Sequence, residues 1–112
     1  MAPARPAVLR EFELLVLLAV MGLDGAAYPL SIRDAIEART GRAPSRAAVF
    51  ITLERLEDKG LLASTFGDPT PVRGGRAKRF FRATKSGVAA AQQAVDAVAA
   101  MSAGLSALEK RR

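Results

Sequence analysis

Cysteine, histidine and tryptophan are all absent from the 112 residues. Without Cys there is no disulfide framework, thiolate nucleophile or sulfur-rich metal site, and without His the commonest general base and the commonest transition-metal ligand are missing. Carboxylates, Lys, Tyr28 and hydroxyls remain, and no carboxylate pair is expected beside a plausible pocket, so neither an enzyme nor a cofactor or metal is expected. Long apolar runs are lacking too. The longest, Leu14 to Met21, has 8 residues and follows Glu11 and Glu13 rather than a basic stretch. A bilayer span needs roughly 20, so no transmembrane segment or signal peptide is expected and the cytoplasm is the default. At 11.8 kDa there is room for one domain but not two.

Half of the residues are apolar and a quarter charged, the composition of a chain that folds around a core. Lys and Arg outnumber Asp and Glu 17 to 11, giving a net charge of +6. The isoelectric point near 10.8 points to a polyanionic partner, nucleic acid first. Divided along the chain, the charge is −1 over residues 1–72, +6 over residues 73–85 and +1 over residues 86–112. The excess therefore sits in Arg73, Arg76, Lys78, Arg79, Arg82 and Lys85, a segment with no acid. Taken alone, such a run is as consistent with a solvated loop as with a binding surface.

Residues 1–7, with Pro3 and Pro6, read as a flexible arm. From Val8 to Leu23, apolar residues recur at steps of three and four, and Leu14, Leu15, Leu17 and Leu18 widen the apolar surface around most of the helix. A helix so apolar in a small domain implies contact with a second chain. Asp24-Gly25 ends it, and Pro29 opens a second helix to about Thr40, closed by Gly41. Ser45 is placed to cap a third helix, Arg46 to Lys59, before Gly60. Its buried stripe is expected to be Val49, Leu53 and Leu56, with Ala47, Ala48, Ile51, Glu54 and Arg55 facing away. The period then changes: Leu61 to Phe66 and Lys78 to Thr84 read as strands joined by the turn-rich Gly67–Arg76 stretch. Thr84 caps a last helix, Lys85 to about Leu108.

Helix, helix, helix, hairpin, helix is the order of a winged helix-turn-helix, mainly α within the α+β class, with a two-stranded wing and a C-terminal dimerisation helix. The division is an arm at 1–7, a DNA-binding domain at 8–84, and a dimerisation helix with a basic tail at 85–112. In this arrangement the third helix enters the major groove and the basic segment becomes the wing, which faces phosphate.

Three stretches carry a family resemblance: Ser31 to Gly41, Ser45 to Leu61 with its Leu-Glu-Asp-Lys-Gly-Leu run, and Arg73-Gly-Gly-Arg-Ala-Lys-Arg-Phe-Phe-Arg-Ala-Thr84 after Gly67-Asp-Pro-Thr-Pro. Together they resemble the PadR family of bacterial transcriptional regulators over about residues 9–95. The resemblance implies a homodimeric repressor with its C-terminal helix exchanged between subunits. It also implies room for a small apolar inducer at the dimer interface, though no Trp is present to stack on flat aromatics. The chain has Tyr28-Pro29-Leu30 where the family often has His-Gly-Tyr, Ala47 where Gly is usual and Phe50 where Tyr is usual, which removes a hydroxyl from the expected phosphate contact.

Residue roles follow. Ser45 and Arg46 stand at the start of the third helix, where free N–H groups favour phosphate; Ser45 serves equally as a plain cap, and Arg46 reads a guanine edge or pairs with phosphate. Ala47 and Phe50 share that end, and Ile51 either presses on thymine methyls or is simply exposed. Arg55, near Glu54, Glu57 and Asp58, is expected in surface ion pairs. Arg73, Gly74, Gly75, Arg76 and Lys78 form the wing contact, the glycines allowing close backbone approach. Val88, Ala91, Val95, Val98, Met101, Leu105 and Leu108 form a heptad-like seam too long for one small core, so a partner helix is expected there, with Phe12 and Val16 of the first helix beside it.

The expected function is thus a sequence-specific regulator that binds double-stranded DNA at a palindromic operator as a homodimer. The alternative is a winged helix for protein assembly or RNA binding without operator specificity. Membrane-surface binding is disfavoured because the basic residues lie on a hairpin, not an amphipathic helix.

Overall fold

The computed structural model describes residues 8–67 and 78–109. The elements are α1 (Glu11–Leu23), α2 (Pro29–Thr40), α3 (Arg46–Asp58), β1 (Leu62–Phe66), β2 (Arg79–Ala83), α4 (Lys85–Ser102) and α5 (Ser106–Glu109). The arm, the wing tip and the basic tail expected at 1–7, 68–77 and 110–112 lie outside the described residues. This is the winged-helix order expected from the sequence.

The helix ends have local causes. α1 starts at Glu11 rather than Val8, because the Glu13 carboxylate turns back to accept from the Arg10 N–H at 3.0 Å and closes the first turn. At α2, Ser31 Oγ accepts from the Tyr28 N–H at 2.9 Å and donates to the Ala26 carbonyl at 2.7 Å. The Ser45 hydroxyl accepts from the Ala48 N–H at 3.0 Å, and Thr84 does the same for Gly87 in α4. Gly60, at φ +77°, makes the left-handed turn that sends the chain from α3 into the sheet.

The core gathers one face of each element: Val16, Leu17 and Val20 of α1, Ile32 and Ile36 of α2, Val49, Leu53 and Leu56 of α3, then Leu61, Leu62, Phe81, Ala90 and Ala91. The expected α3 stripe is buried, with Thr52 added. β1 and β2 pair antiparallel from Leu62 with Ala83 at the root to Phe66 with Arg79 at the outer end. The root is held by the Thr84 N–H on the Leu61 carbonyl at 3.1 Å and by Thr84 Oγ1 on the Gly60 carbonyl at 2.7 Å. On its other edge β2 donates from the Phe81 N–H to the Ala27 carbonyl at 2.8 Å, fastening the α1–α2 loop to the sheet.

Two expectations about the helices are corrected. Val16 and Ala91 were assigned to a dimer seam, but they are 0% and 1% exposed within their own chain, so both belong to its core and offer no surface to a partner. The last helix also stops at Ser102 instead of reaching Leu108. Ala103 is extended (ψ 134°) and Gly104 is left-handed (φ +78°), so the chain turns before α5 and Leu105 and Leu108 leave the register of Val95, Val98 and Met101. Much of the apolar circumference of α1 is likewise covered from within: Leu17 is buried and Leu14 and Leu15 are half-buried, leaving Leu18 at 36% exposure.

Candidate nucleic-acid interface

α3 shows solvent the side opposite its buried stripe. Ser45, Arg46 and Ala47 are exposed at its N-terminus, and Phe50 and Ile51 follow one turn later at 45% and 54%. Phe50 and Ile51 thus stand outside the core beside the Arg46 charge. Arg46 makes no ion pair among the described residues. Arg55 is also exposed and unpaired among them, against the expectation of a surface ion pair: Glu54 and Glu57 turn to the other side of α3, and both are taken by Arg79.

The sheet stands beside α3 with two unlike faces. Leu62, Ser64 and Phe66 share the inner face with Ala83, Phe81 and Arg79, their register partners, while Ala63, Thr65, Phe80 and Arg82 form the outer one. Arg79 does not project towards solvent as part of a simple basic strip. Its Nη1 is 2.7 Å from Glu54 Oε1, its Nη2 binds Glu57 Oε1, and its Nε donates to Ser64 Oγ at 3.1 Å. Ser64 Oγ in turn donates to Glu57 Oε2 at 2.8 Å, and the guanidinium carbon is 4.9 Å from the Phe81 ring centroid. The hydrogen bond from Ser64 and the Arg79 charge outweigh the partial burial of Glu57 and hold its carboxyl below the usual glutamate range.

Lys78 sits at the outer end of the sheet with its ammonium 4.1 Å from the Tyr28 ring centroid, and Phe80 meets the same ring edge-on at 5.6 Å. Tyr28 was not among the expected interface residues, although it fixes where the Lys78 charge stands. Arg82 is exposed on the outer face. Arg73, Gly74, Gly75 and Arg76 lie outside the described residues.

Behind the interface, Lys59 at the C-terminal end of α3 reaches Glu13 of α1, at 3.0 and 3.1 Å to the two carboxylate oxygens. Burial pushes the Glu13 carboxyl up, but the Arg10 N–H and the Lys59 ammonium more than offset it and hold the group below its usual value. Arg42, before α3, pairs with Glu11 at 3.0 Å. The C-terminal end of α3 and the α2–α3 connection are therefore both tied to the start of α1.

Away from the interface, α4 carries an uncovered row: Val88, Val95, Val98 and Met101 are 44%, 39%, 62% and 79% exposed, with Leu105 and Leu108 at 49% and 57% beyond the turn. Phe12 is half-buried. An open groove of about 460 Å³ runs between α1 and α2, lined by Leu15, Leu18, Ala19, Leu23, Ile36 and Arg39 among others. Among the described residues no helix is long and apolar enough to cross a membrane.

The model of the transcriptional regulator PadR-like family matches residues 17–93. Solved structures with the same fold include a PadR family transcriptional regulator from Eggerthella lenta (21% identity, 88% of this chain and 83% of that one, TM-score 0.66). A PadR-like transcriptional regulator from Bacillus cereus is 13% identical over 90% of this chain and 93% of that one, with a TM-score of 0.68. A transcriptional regulator from Clostridium thermocellum is 18% identical over 80% and 84%, with a TM-score of 0.67. No curated protein matches the chain.

Proposed function

The chain belongs to the PadR-like family of transcriptional regulators, and from that membership we propose a homodimeric repressor that reads a palindromic operator with α3 and grips the flanking backbone with its wing. DNA binding is the activity of a regulator of this class, and the family offers no catalytic role. The observation that carries the reading is the exposed end of α3, where Arg46, Ala47, Phe50 and Ile51 are free of the core beside a basic hairpin. Ser45 and Arg46 contact phosphate or a guanine edge, and Ile51 packs on thymine methyls. Phe50 has no hydroxyl to donate, so its contribution is apolar contact with sugar or base. Lys78, Arg73 and Arg76, with Gly74 and Gly75 between the arginines, supply the backbone contacts.

Dimerisation is assigned to the row on α4, with Val88, Val95, Val98 and Met101 facing a second copy and Phe12 beside them. Leu105 and Leu108 extend the surface from beyond the Gly104 turn. A small apolar inducer would act where the two subunits meet, by changing the spacing of the two α3 helices. The cytoplasm is where such a regulator meets DNA.

The test is binding to a labelled duplex from the gene's own upstream region against a scrambled duplex of the same length. Tighter binding to the first by at least about a thousandfold is expected, the lower end of the usual span for specific over nonspecific sites. Equal binding to both, or preference for RNA, favours the assembly or RNA-binding alternative.

A further inference from the structure

Among the described residues of the basic segment, Arg79 is paired where Arg82 is exposed on the outer face. Arg79 stands at the outer end of the described sheet, opposite Phe66, and reaches back across the inner face to two carboxylates one turn apart on α3. Its Nε is also engaged by Ser64, and Ser64 is itself bonded to Glu57, so all three guanidinium nitrogens have a named partner. Its side chain is 22% exposed, against 45% for Glu54 and 30% for Glu57. A guanidinium held in this way by two carboxylates and a hydroxyl is already neutralised and oriented, and has little left to offer a phosphate.

The mechanical consequence follows from where the sheet is otherwise held. Its root is fixed to the end of α3 through Gly60, Leu61 and Thr84, the middle of β2 is held at Ala27 on its far edge, and Phe80 and Lys78 pack on Tyr28 on the outer face. Those attachments lie at the root, the far edge and the outer face, and leave the inner face beside α3 unheld against rotation of the outer end, the motion that would swing the wing towards or away from the DNA-reading end of α3. Leu62 to Phe66 is a lever of about 14 Å at roughly 3.4 Å per residue, so a 10° rotation displaces its end by about 2 Å and the loop beyond by more. Arg79 closes this freedom by tying the outer end to Glu54, midway along α3. It also offsets one of the two negative charges that Glu54 and Glu57 place on the helix proposed to approach DNA.

We infer that Arg79 is a positioning residue of the regulator, a clamp that sets the wing at one angle to α3 and masks Glu54 and Glu57, and that it is not one of the arginines that bind phosphate. This rests on the DNA-binding reading above. It assigns to a residue inside the basic run a role opposite to that of its neighbours, and the two roles differ in their salt dependence. A phosphate contact contributes about 0.9 to the slope of log K against log salt, so losing it from both subunits flattens the slope by nearly 2, whereas loss of a clamp leaves the slope where it was.

The experiment uses the full chain with Arg79→Gln and, separately, with Glu54→Gln and Glu57→Gln together, measuring binding to an upstream duplex and a scrambled duplex across a salt series. For Arg79→Gln the preference for the upstream duplex should fall about tenfold, the size of one lost base contact, with the slope on scrambled DNA unchanged. A slope flattened by nearly 2, or an unaltered preference, overturns the inference. The double Glu→Gln variant keeps the test open if Arg79→Gln does not fold: with Arg79 released, its slope should steepen as preference falls, and preference held at the original value overturns the clamp. Hydrogen exchange without DNA separates this from failure of the regulatory reading. The Phe81 N–H, 2.8 Å from the Ala27 carbonyl between the sheet and the α1–α2 loop, should exchange at least about tenfold faster in the variants. Unchanged exchange rejects the clamp even if no duplex is bound.

Discussion

Glu13 shows how a single buried residue holds the end of α3 in place from behind the candidate interface. Its side chain is 3% exposed, and its carboxylate joins the start of α1 to Lys59 at the end of α3. Because the folded carboxyl titrates below the usual glutamate value of 4.5, its ionised form stabilises the fold above that value, and the contribution is lost as pH falls through the lower folded value. Glu57 has the same sign through Ser64 and Arg79. Glu13→Gln should therefore cost about 1 to 3 kcal/mol at pH 7, the range for a hydrogen bond to a charged group. It should also make denaturant stability fall less steeply than in the unaltered protein below pH 4.5, the usual glutamate value; parallel pH curves would remove Glu13 from the account. None of these pairings was legible in the sequence. Glu13 and Lys59 are 46 positions apart and Arg79 and Glu57 are 22 apart, and neither periodicity nor local charge counting joins residues at such separations. Arg55, near three acids in the sequence, loses Glu54 and Glu57 to Arg79 for the same reason.

At the scale of elements, local punctuation was enough for α2, α3 and the sheet. Pro29, Gly41, Ser45 and Gly60 mark ends that the structure places within a residue or so, because capping and left-handed turns are decided by neighbours in the chain. α4 was read too long because Gly104 is tolerated inside a helix on pattern alone, and the apolar spacing of Leu105 and Leu108 continued across it. A subtler constraint sits at the start of the same helix. A Cβ on Gly87 would lie 2.0 Å from the Leu61 carbonyl oxygen, at the root of the wing. Gly87→Ala must push α4 away from the sheet, and a cost of at least about 1 to 3 kcal/mol is expected. Thermal unfolding should report a drop of several degrees or more at this chain length, roughly 4 to 8 °C per kcal/mol. An unaltered midpoint would show that α4 does not pack as closely as described.

For the whole molecule, the fold turns a charge balance into a two-sided object, with α3 and the wing on one side and uncovered apolar surface on α4. The fold class was legible because the order of elements and the clustering of +6 into thirteen residues can both be read directly from the chain. Which apolar residues face a partner was not, since Val16 and Ala91 share a helical repeat with exposed neighbours and only burial distinguishes them. If α4 joins two copies, Val98→Glu with Met101→Glu should give a folded monomer by light scattering where the unaltered chain gives a dimer; a persisting dimer would move the interface elsewhere. Both positions are open to solvent in the single chain, at 62% and 79%, so folding should survive the change.

If DNA recognition divides between α3 and the wing as proposed, the two parts should fail differently. Replacing Arg73 and Arg76 by Ala in both subunits removes up to four phosphate contacts, and should weaken all duplexes alike while flattening the salt slope by roughly 2 to 4 units. The most direct measurement is the ratio of affinities for the upstream and scrambled duplexes at one salt concentration, for Ile51→Ala and Arg46→Ala beside that wing variant. A fall in the ratio corresponding to about 1 to 3 kcal/mol for at least one of the α3 variants, with the ratio kept in the wing variant, is the predicted result. A ratio left intact by both Ile51→Ala and Arg46→Ala would contradict the claim that α3 reads bases.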